Sequence, residues 1–126
     1  MNPQRPKILV VDDTPANLMM LANALDKEFS FQLVTSGQAA LDMAAKAAPE
    51  LILLDVMMPG ELDGLQVCAR VRALPALKDT RVVLLTARGQ TQDRDAGQQA
   101  GADEYLIKPF SPLQLIETIE RLMPAE

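Results

Sequence analysis

The chain contains no histidine and no tryptophan, and only one cysteine and one tyrosine among its 126 residues. Without histidine it has no imidazole to carry a phosphoryl group, to act as a general base or to bind zinc. The single cysteine, Cys68, excludes an internal disulfide and a site built from several thiolates. Any phosphoryl chemistry must therefore use carboxylate, hydroxyl or amine groups.

Long apolar runs and a basic surface are also missing. Nowhere do about 18 apolar residues follow one another, and the chain opens without an apolar signal region, so neither a membrane span nor secretion is predicted. The formal net charge of -5 argues against binding to nucleic acid or to an anionic membrane. We expect a cytoplasmic protein that is one domain over residues 1–126, with its core at about 7–123.

Four short apolar runs each lead into a polar residue. Continuous runs of Val, Ile and Leu are typical of parallel strands that are covered on both faces. A further strand is predicted at Phe31–Val34. The four runs and the polar residues that come after them are Ile8–Val11 with Asp12 and Asp13, Leu51–Leu54 with Asp55, Val82–Leu85 with Thr86, and Tyr105–Ile107 with Lys108.

Segments with helical spacing lie between the predicted strands. Helix-start signals stand at Thr14, Ser36, Asp63 and Ser111, with proline next after the first and the last. The residues predicted to face the sheet are Leu18, Leu21 and Leu25 in the first helix, Ala40, Ala44 and Ala48 in the second, Val67, Val71 and Leu74 in the third, and Leu115, Ile116, Ile119 and Leu122 in the last.

Strands that alternate with helices predict an α/β fold, namely a doubly wound five-stranded parallel sheet of the flavodoxin-like order 2-1-3-4-5. In that order the first and third strands are neighbours, so Asp12, Asp13 and Asp55 converge at one edge. The fourth helix, at 91–100, offers only alanine to bury and contains Gly97, which costs about 1 kcal/mol relative to alanine. We predict a weakly packed helix there, which is either accidental or part of a switching surface.

The residues at the strand ends suit phosphoryl transfer. Three carboxylates brought together repel one another unless a cation lies between them, and Mg²⁺ suits a few oxygen ligands that stay open to water and phosphate. Asp55 would attack the phosphoryl group as nucleophile, with Thr86 and Lys108 on its other oxygens. Each residue also has an ordinary explanation, such as helix capping for Asp13 or a solvated charge for Lys108, so the hypothesis rests on the whole set.

The chain resembles the receiver domain of two-component response regulators of the CheY-like superfamily, over about residues 7–123. Five blocks in this order are far more specific than an isolated pair of aspartates. The blocks that carry the resemblance are Ile8–Asp13, Leu53–Pro59, Leu85–Ala87, Gly101–Tyr105 and Lys108–Phe110.

The resemblance implies a metal site and a phosphoacceptor. Asp55 is implied as the residue that accepts the phosphoryl group. Asp13 would bind Mg²⁺ directly and Asp12 through water. Asp55 and the backbone carbonyl of Met57 would complete the protein ligands.

The resemblance also implies a switch. Thr86 would move its hydroxyl toward the phosphoryl group, and Tyr105 would rotate with it. Lys108 would contact the phosphoryl group, and the bond that joins it to Pro109 would be cis, a minority state for X-Pro bonds. Two departures from the family pattern stand out, a loop one residue longer at Gly60–Leu62 and the glycine in the fourth helix.

The implied partners are a sensor histidine kinase or a histidine phosphotransfer protein as donor, and an output domain or downstream protein as receiver of the signal. The domain would catalyse only its own phosphorylation and slow dephosphorylation, in bacterial signalling. Met57 and Arg88 lie two positions after Asp55 and Thr86. We hypothesise that they obstruct the attacking water; covering surface is the plainer explanation.

Three alternatives differ in testable ways. A phosphohydrolase of the haloacid dehalogenase type would place Asp-x-Asp-x-Thr after the first strand, which Val11–Thr14 does not match. A flavodoxin-like binding module would offer Ser, Thr and Gly to a phosphate in its first loop, where this chain has Asp12 and Asp13. A degenerate receiver that serves only for docking is disfavoured because every reactive position is filled.

Overall fold

Five parallel strands form one sheet in the order β2-β1-β3-β4-β5, which confirms the predicted doubly wound fold. The structure is a computed structural model that describes residues 7–26, 29–57, 62–87, 100–108 and 110–123. The strands are β1 (Lys7–Val11), β2 (Ser30–Val34), β3 (Leu51–Asp55), β4 (Arg81–Ala87) and β5 (Glu104–Lys108).

Four α-helices are described, and all four begin at the predicted signals. They are α1 (Pro15–Leu25), α2 (Gly37–Ala47), α3 (Gly64–Ala73) and α4 (Pro112–Leu122). The Ser36 hydroxyl accepts a hydrogen bond from the Ala39 N–H, and Asp63 and Ser111 form capping boxes. Within the described ranges, no helix combines the length and apolarity needed to cross a bilayer.

The sheet buries apolar side chains on both faces. In β1, Leu9 and Val11 pack with α2 and α3, whereas Ile8 and Val10 pack with α1 and α4. Burial of one such side chain contributes about 1.5–3 kcal/mol. Because successive strand residues point to opposite faces, two covered faces require the unbroken apolar runs seen in the sequence.

Two helix residues predicted to face the sheet are exposed, and Ile107, in a run predicted to be covered on both faces, is 44% exposed on the edge strand β5. Ala48 lies beyond the end of α2 in the left-handed conformation, with φ 48°. Leu74 comes after the last residue of α3 and is 37% exposed. Pro75 disfavours helical geometry at the residue before it, and a 3-10 turn at Pro75–Leu77 buries Leu77 instead. The helix predicted at 91–100 lies outside the described residues, except for Ala100.

Gly64 brings the start of α3 against the end of β3. A Cβ at this position would lie 2.3 Å from the backbone oxygen of Asp55 and 2.7 Å from the Cα of Val56. The Gly64 N–H donates to the Val56 carbonyl at 3.1 Å. Since the contact is with backbone, no side chain can rotate away to make room.

Gly64→Ala should therefore destabilise the protein, by about 1–3 kcal/mol in the free energy of unfolding measured with urea. Ala69→Ser, at an exposed position of the same helix, is the control and should cost less than about 0.7 kcal/mol. Equal losses in the two variants would show that β3 and α3 separate easily.

Candidate functional site

Three carboxylates meet where β1 and β3 end. Asp12 and Asp13 come directly after β1, and Asp55 is the last residue of β3, the neighbouring strand. One oxygen from each carboxylate lies within 4.8 Å of the other two. The pairing of Val11 with Leu54 sets this proximity, since the next residues along the two strands are Asp12 and Asp55.

Asp12 is completely buried, with 0% of its surface exposed, and both of its oxygens have donors. Its Oδ1 accepts from the Thr14 N–H at 2.9 Å, and its Oδ2 accepts from the Asn17 amide at 3.3 Å. Its own N–H donates to the Val34 carbonyl at 3.2 Å. These contacts fix the Asp12 carboxylate between the end of β1 and the first turn of α1.

Lys108 lies between two acids. Its Nζ is 3.4 Å from Asp12 Oδ2 and 3.4 Å from Asp55 Oδ1. Charge-assisted hydrogen bonds of this type are shorter, at about 2.8 Å. The ammonium is therefore shared by both carboxylates through long contacts, and its hydrogen bond to Asp12 Oδ2 is weaker than an optimal one.

Asp55 is 5% exposed, and its Oδ1 accepts from the Met57 N–H at 3.2 Å. Burial raises the pKa of the Asp55 carboxyl above its ordinary value; Lys108 lowers it and Asp12 raises it again, and the net direction is upward. The ionised form of Asp55 is thus disfavoured by its surroundings. A cation held among the carboxylates would oppose that effect.

The remaining predicted residues lie nearby or outside the described chain. Thr86 is buried in β4, one residue beyond the partner of Asp55. Tyr105 in β5 pairs with Leu84, which lies two residues before Thr86. Its side chain is partly buried against the part of the core that α2 and α3 cover. The Met57 side chain is 61% exposed. Pro109, with its predicted cis bond, and Arg88 fall outside the described residues.

The donor set fits Mg²⁺. Carboxylates are hard oxygen ligands, and Asp13, the least buried of the three, offers a face that is partly open to water. A compact cluster of few ligands suits an ion that keeps several of its own waters.

Asn17 is the site residue that sequence reasoning missed. It is the third residue of α1, and side chains at this position often reach back to the residues before a helix. That positional rule, applied to a helix that starts beside two aspartates, is the signal that could have found it.

Comparison with known proteins identifies the family. The family model for the response regulator receiver domain matches residues 8–120. The chain belongs to this family. The resemblance inferred from the five sequence blocks is thereby confirmed.

Curated response regulators are longer than this receiver domain. It is 38% identical to the transcriptional regulatory protein ResD of Bacillus subtilis over 118 aligned residues. The alignment covers 93% of this chain and 48% of ResD. It is 41% identical to the response regulator PleD of Caulobacter vibrioides over 118 aligned residues, and this alignment covers 92% of this chain and 26% of PleD. The chain thus spans about half or less of these relatives.

Solved receiver structures share the fold. A putative response regulator from Chloroflexus aurantiacus matches with a TM-score of 0.91 and 33% identity, over 97% of this chain and 100% of that one. The chemotaxis response regulator CheY4 of Vibrio cholerae matches with a TM-score of 0.89 and 30% identity, over 95% of this chain and 100% of CheY4.

The raised pKa of Asp55 has a consequence for stability. Between the ordinary carboxyl value of 3.8 and the raised value, the folded state binds more protons than the unfolded state, so stability falls as pH rises through this window. Without Mg²⁺, Asp55→Asn should therefore melt a few degrees above the wild type at neutral pH, and the difference should shrink as the pH falls toward 3.8.

Thermal unfolding followed by circular dichroism at several pH values measures this difference. Asp79→Asn, an exposed acid, is the control and should match the wild type throughout. A pH-independent gain in Asp55→Asn would mean that the burial of charge is not its cause.

Proposed function

We propose that this receiver domain accepts a phosphoryl group on Asp55, with Mg²⁺ bound by Asp12, Asp13, Asp55 and the backbone carbonyl of Met57. The observation that supports it most is the meeting of three carboxylate oxygens within 4.8 Å of one another, beside an ammonium shared by two of them. A structural ion pair needs one acid, whereas this arrangement concentrates more negative charge than the protein itself neutralises.

When bound, Mg²⁺ would reduce the repulsion among the carboxylates and the incoming phosphoryl oxygens. Asp13 would be a direct ligand. The buried Asp12 carboxylate, whose two oxygens already accept protein hydrogen bonds, suits contact through water. This assignment leaves Asp55 to act both as a ligand and as the nucleophile.

The reaction is a transfer from nitrogen to oxygen. A carboxylate oxygen of Asp55 forms a bond to phosphorus while the P–N bond of a phosphohistidine breaks, and the imidazole leaves on the donor protein. Lys108 moves to a phosphoryl oxygen, and the Thr86 hydroxyl donates to another. Because this chain has no histidine, the donor residue must belong to another protein or to a different segment.

The output of the switch depends on β4 and β5. Thr86 moves toward the phosphoryl group, and Tyr105 takes up the space that is vacated along the neighbouring strand. The altered surface changes affinity for an output domain or a downstream protein. We propose that residues 1–126 form a single domain in the cytoplasm. A sensor histidine kinase or a histidine phosphotransfer protein phosphorylates it there. The domain catalyses only its own phosphorylation and dephosphorylation.

Phosphorylation by acetyl phosphate tests the proposal. The wild type should incorporate up to one phosphoryl group per chain with Mg²⁺ and none after chelation, and Asp55→Asn should lose incorporation because it lacks the nucleophile. Intact-mass spectrometry measures the addition. Asp79→Asn, an exposed acid in a turn, is the matched control and should behave as the wild type.

Two results would contradict the proposal. Incorporation that persists in Asp55→Asn would place the acceptor elsewhere. Continuous turnover of a small phosphate ester, with no phosphorylated chain, would favour the dehalogenase-type hydrolase instead.

Met57 should set part of the lifetime of the phosphorylated state. Its side chain is exposed and follows Asp55 by two residues in the chain, so we expect it to obstruct the water that attacks the acyl phosphate. Met57→Ala should therefore release phosphate a few times faster, a change of about 1 kcal/mol or less in activation free energy. Phosphate release from purified phosphorylated protein measures the rate. Met19→Ala, an exposed methionine on α1, is the control, and equal rates in both variants would refute the role of Met57.

A further inference from the structure

One buried oxygen has two side-chain donors from different elements. Asp12 Oδ2 accepts from the Asn17 amide of α1 at 3.3 Å and lies 3.4 Å from Lys108 Nζ of β5. The same ammonium is 3.4 Å from Asp55 Oδ1. The two donors thus differ in one respect, because Lys108 is shared with the phosphoacceptor and Asn17 is not.

This difference matters when Asp55 is phosphorylated, a step that rests on the proposed function above. As Lys108 moves to a phosphoryl oxygen, it withdraws its charge from Asp12 Oδ2. Asp12 has 0% exposure, so bulk water does not replace the lost donor. A buried acceptor left without a partner is costly, and more so when it is charged.

We propose that Asn17 is a positioning residue for the phosphorylated state, because it keeps a donor on Asp12 Oδ2 after Lys108 has left. The Thr14 N–H holds the other oxygen at 2.9 Å, so the two contacts together fix the rotation of the carboxylate. Asp12 would then stay oriented toward a bound cation.

The placement of Asn17 favours this role over a purely helical one. Its side chain is half-buried and donates into a buried carboxylate, whereas Asn23 on the same helix is exposed. Partners of this kind around a metal site commonly change metal affinity or activity by about 10–100-fold when they are removed. Because Asn17 and Lys108 share the acceptor Asp12 Oδ2, loss of the Asn17 amide should weaken binding most when Lys108 has moved away from Asp12.

The test uses Asn17→Leu, which keeps the size of the side chain and removes its donor, with Asn23→Leu as the matched control. Beryllofluoride serves as the phosphoryl analogue. Calorimetry gives the Kd for Mg²⁺, fluorine NMR gives the Kd for beryllofluoride at saturating Mg²⁺, and urea gives the stability of the metal-free protein.

We expect Asn17→Leu to weaken beryllofluoride binding roughly tenfold, to weaken Mg²⁺ binding by a smaller factor, and to match the control in metal-free stability because Lys108 still contacts Asp12. Beryllofluoride binding equal to that of Asn23→Leu would overturn the inference. So would equal weakening for Mg²⁺ and beryllofluoride together with lost metal-free stability, which indicates a merely structural role. Failure of the wild type to bind beryllofluoride would instead refute the proposed function.

Discussion

The site depends on a shortage of positive charge. Three carboxylates stand within 4.8 Å of one another, and one ammonium lies 3.4 Å from two of them. Burial strengthens the repulsion, because Asp12 and Asp55 are almost shut off from solvent. Hydrogen bonds from the backbone N–H groups of Thr14 and Met57 offset part of this cost without neutralising the charge. The remaining imbalance would favour a divalent cation, and under the proposed function a bound cation would let a phosphoryl group approach a pocket that would otherwise repel it.

The fold maintains this unfavourable cluster with parts that have little freedom to move. The strands that carry Asp12 and Asp55 are neighbours, and their apolar residues are buried on both faces. Where β3 ends, α3 starts so close that only glycine fits at position 64. Separating Asp12 from Asp55 would require moving a strand within a close-packed core, which opposes such a movement. The packing of the sheet therefore keeps together three carboxylates that repel one another.

The sequence predicted the features that strand ends determine and few of those that depend on side-chain reach. A strand covered on both faces has an unbroken apolar run, and each run ends at the carboxyl edge of the sheet, where Asp12, Asp55 and Thr86 lie. Helix ends were less predictable: the apolar spacing runs on through Ala48 and Leu74, although a left-handed residue and a proline end the two helices. Asn17 was missed because an amide on a helix has no apolar pattern, and only the three-dimensional path from α1 to Asp12 shows what it donates to.

The proposed switching would arise from the same shortage of charge. An ammonium at 3.4 Å from two acids makes an optimal hydrogen bond to neither, so its position can change at modest cost. A receiver needs only a few kcal/mol of bias between two states, and a better partner for one partly buried ammonium is of that order. A site whose carboxylates were fully neutralised by protein cations could also bind phosphate, but its cationic side chains would gain little free energy by moving. The same incomplete pairing that makes the cluster costly would thus make it responsive, and fixed donors such as Asn17 would hold Asp12 in place while Lys108 moves.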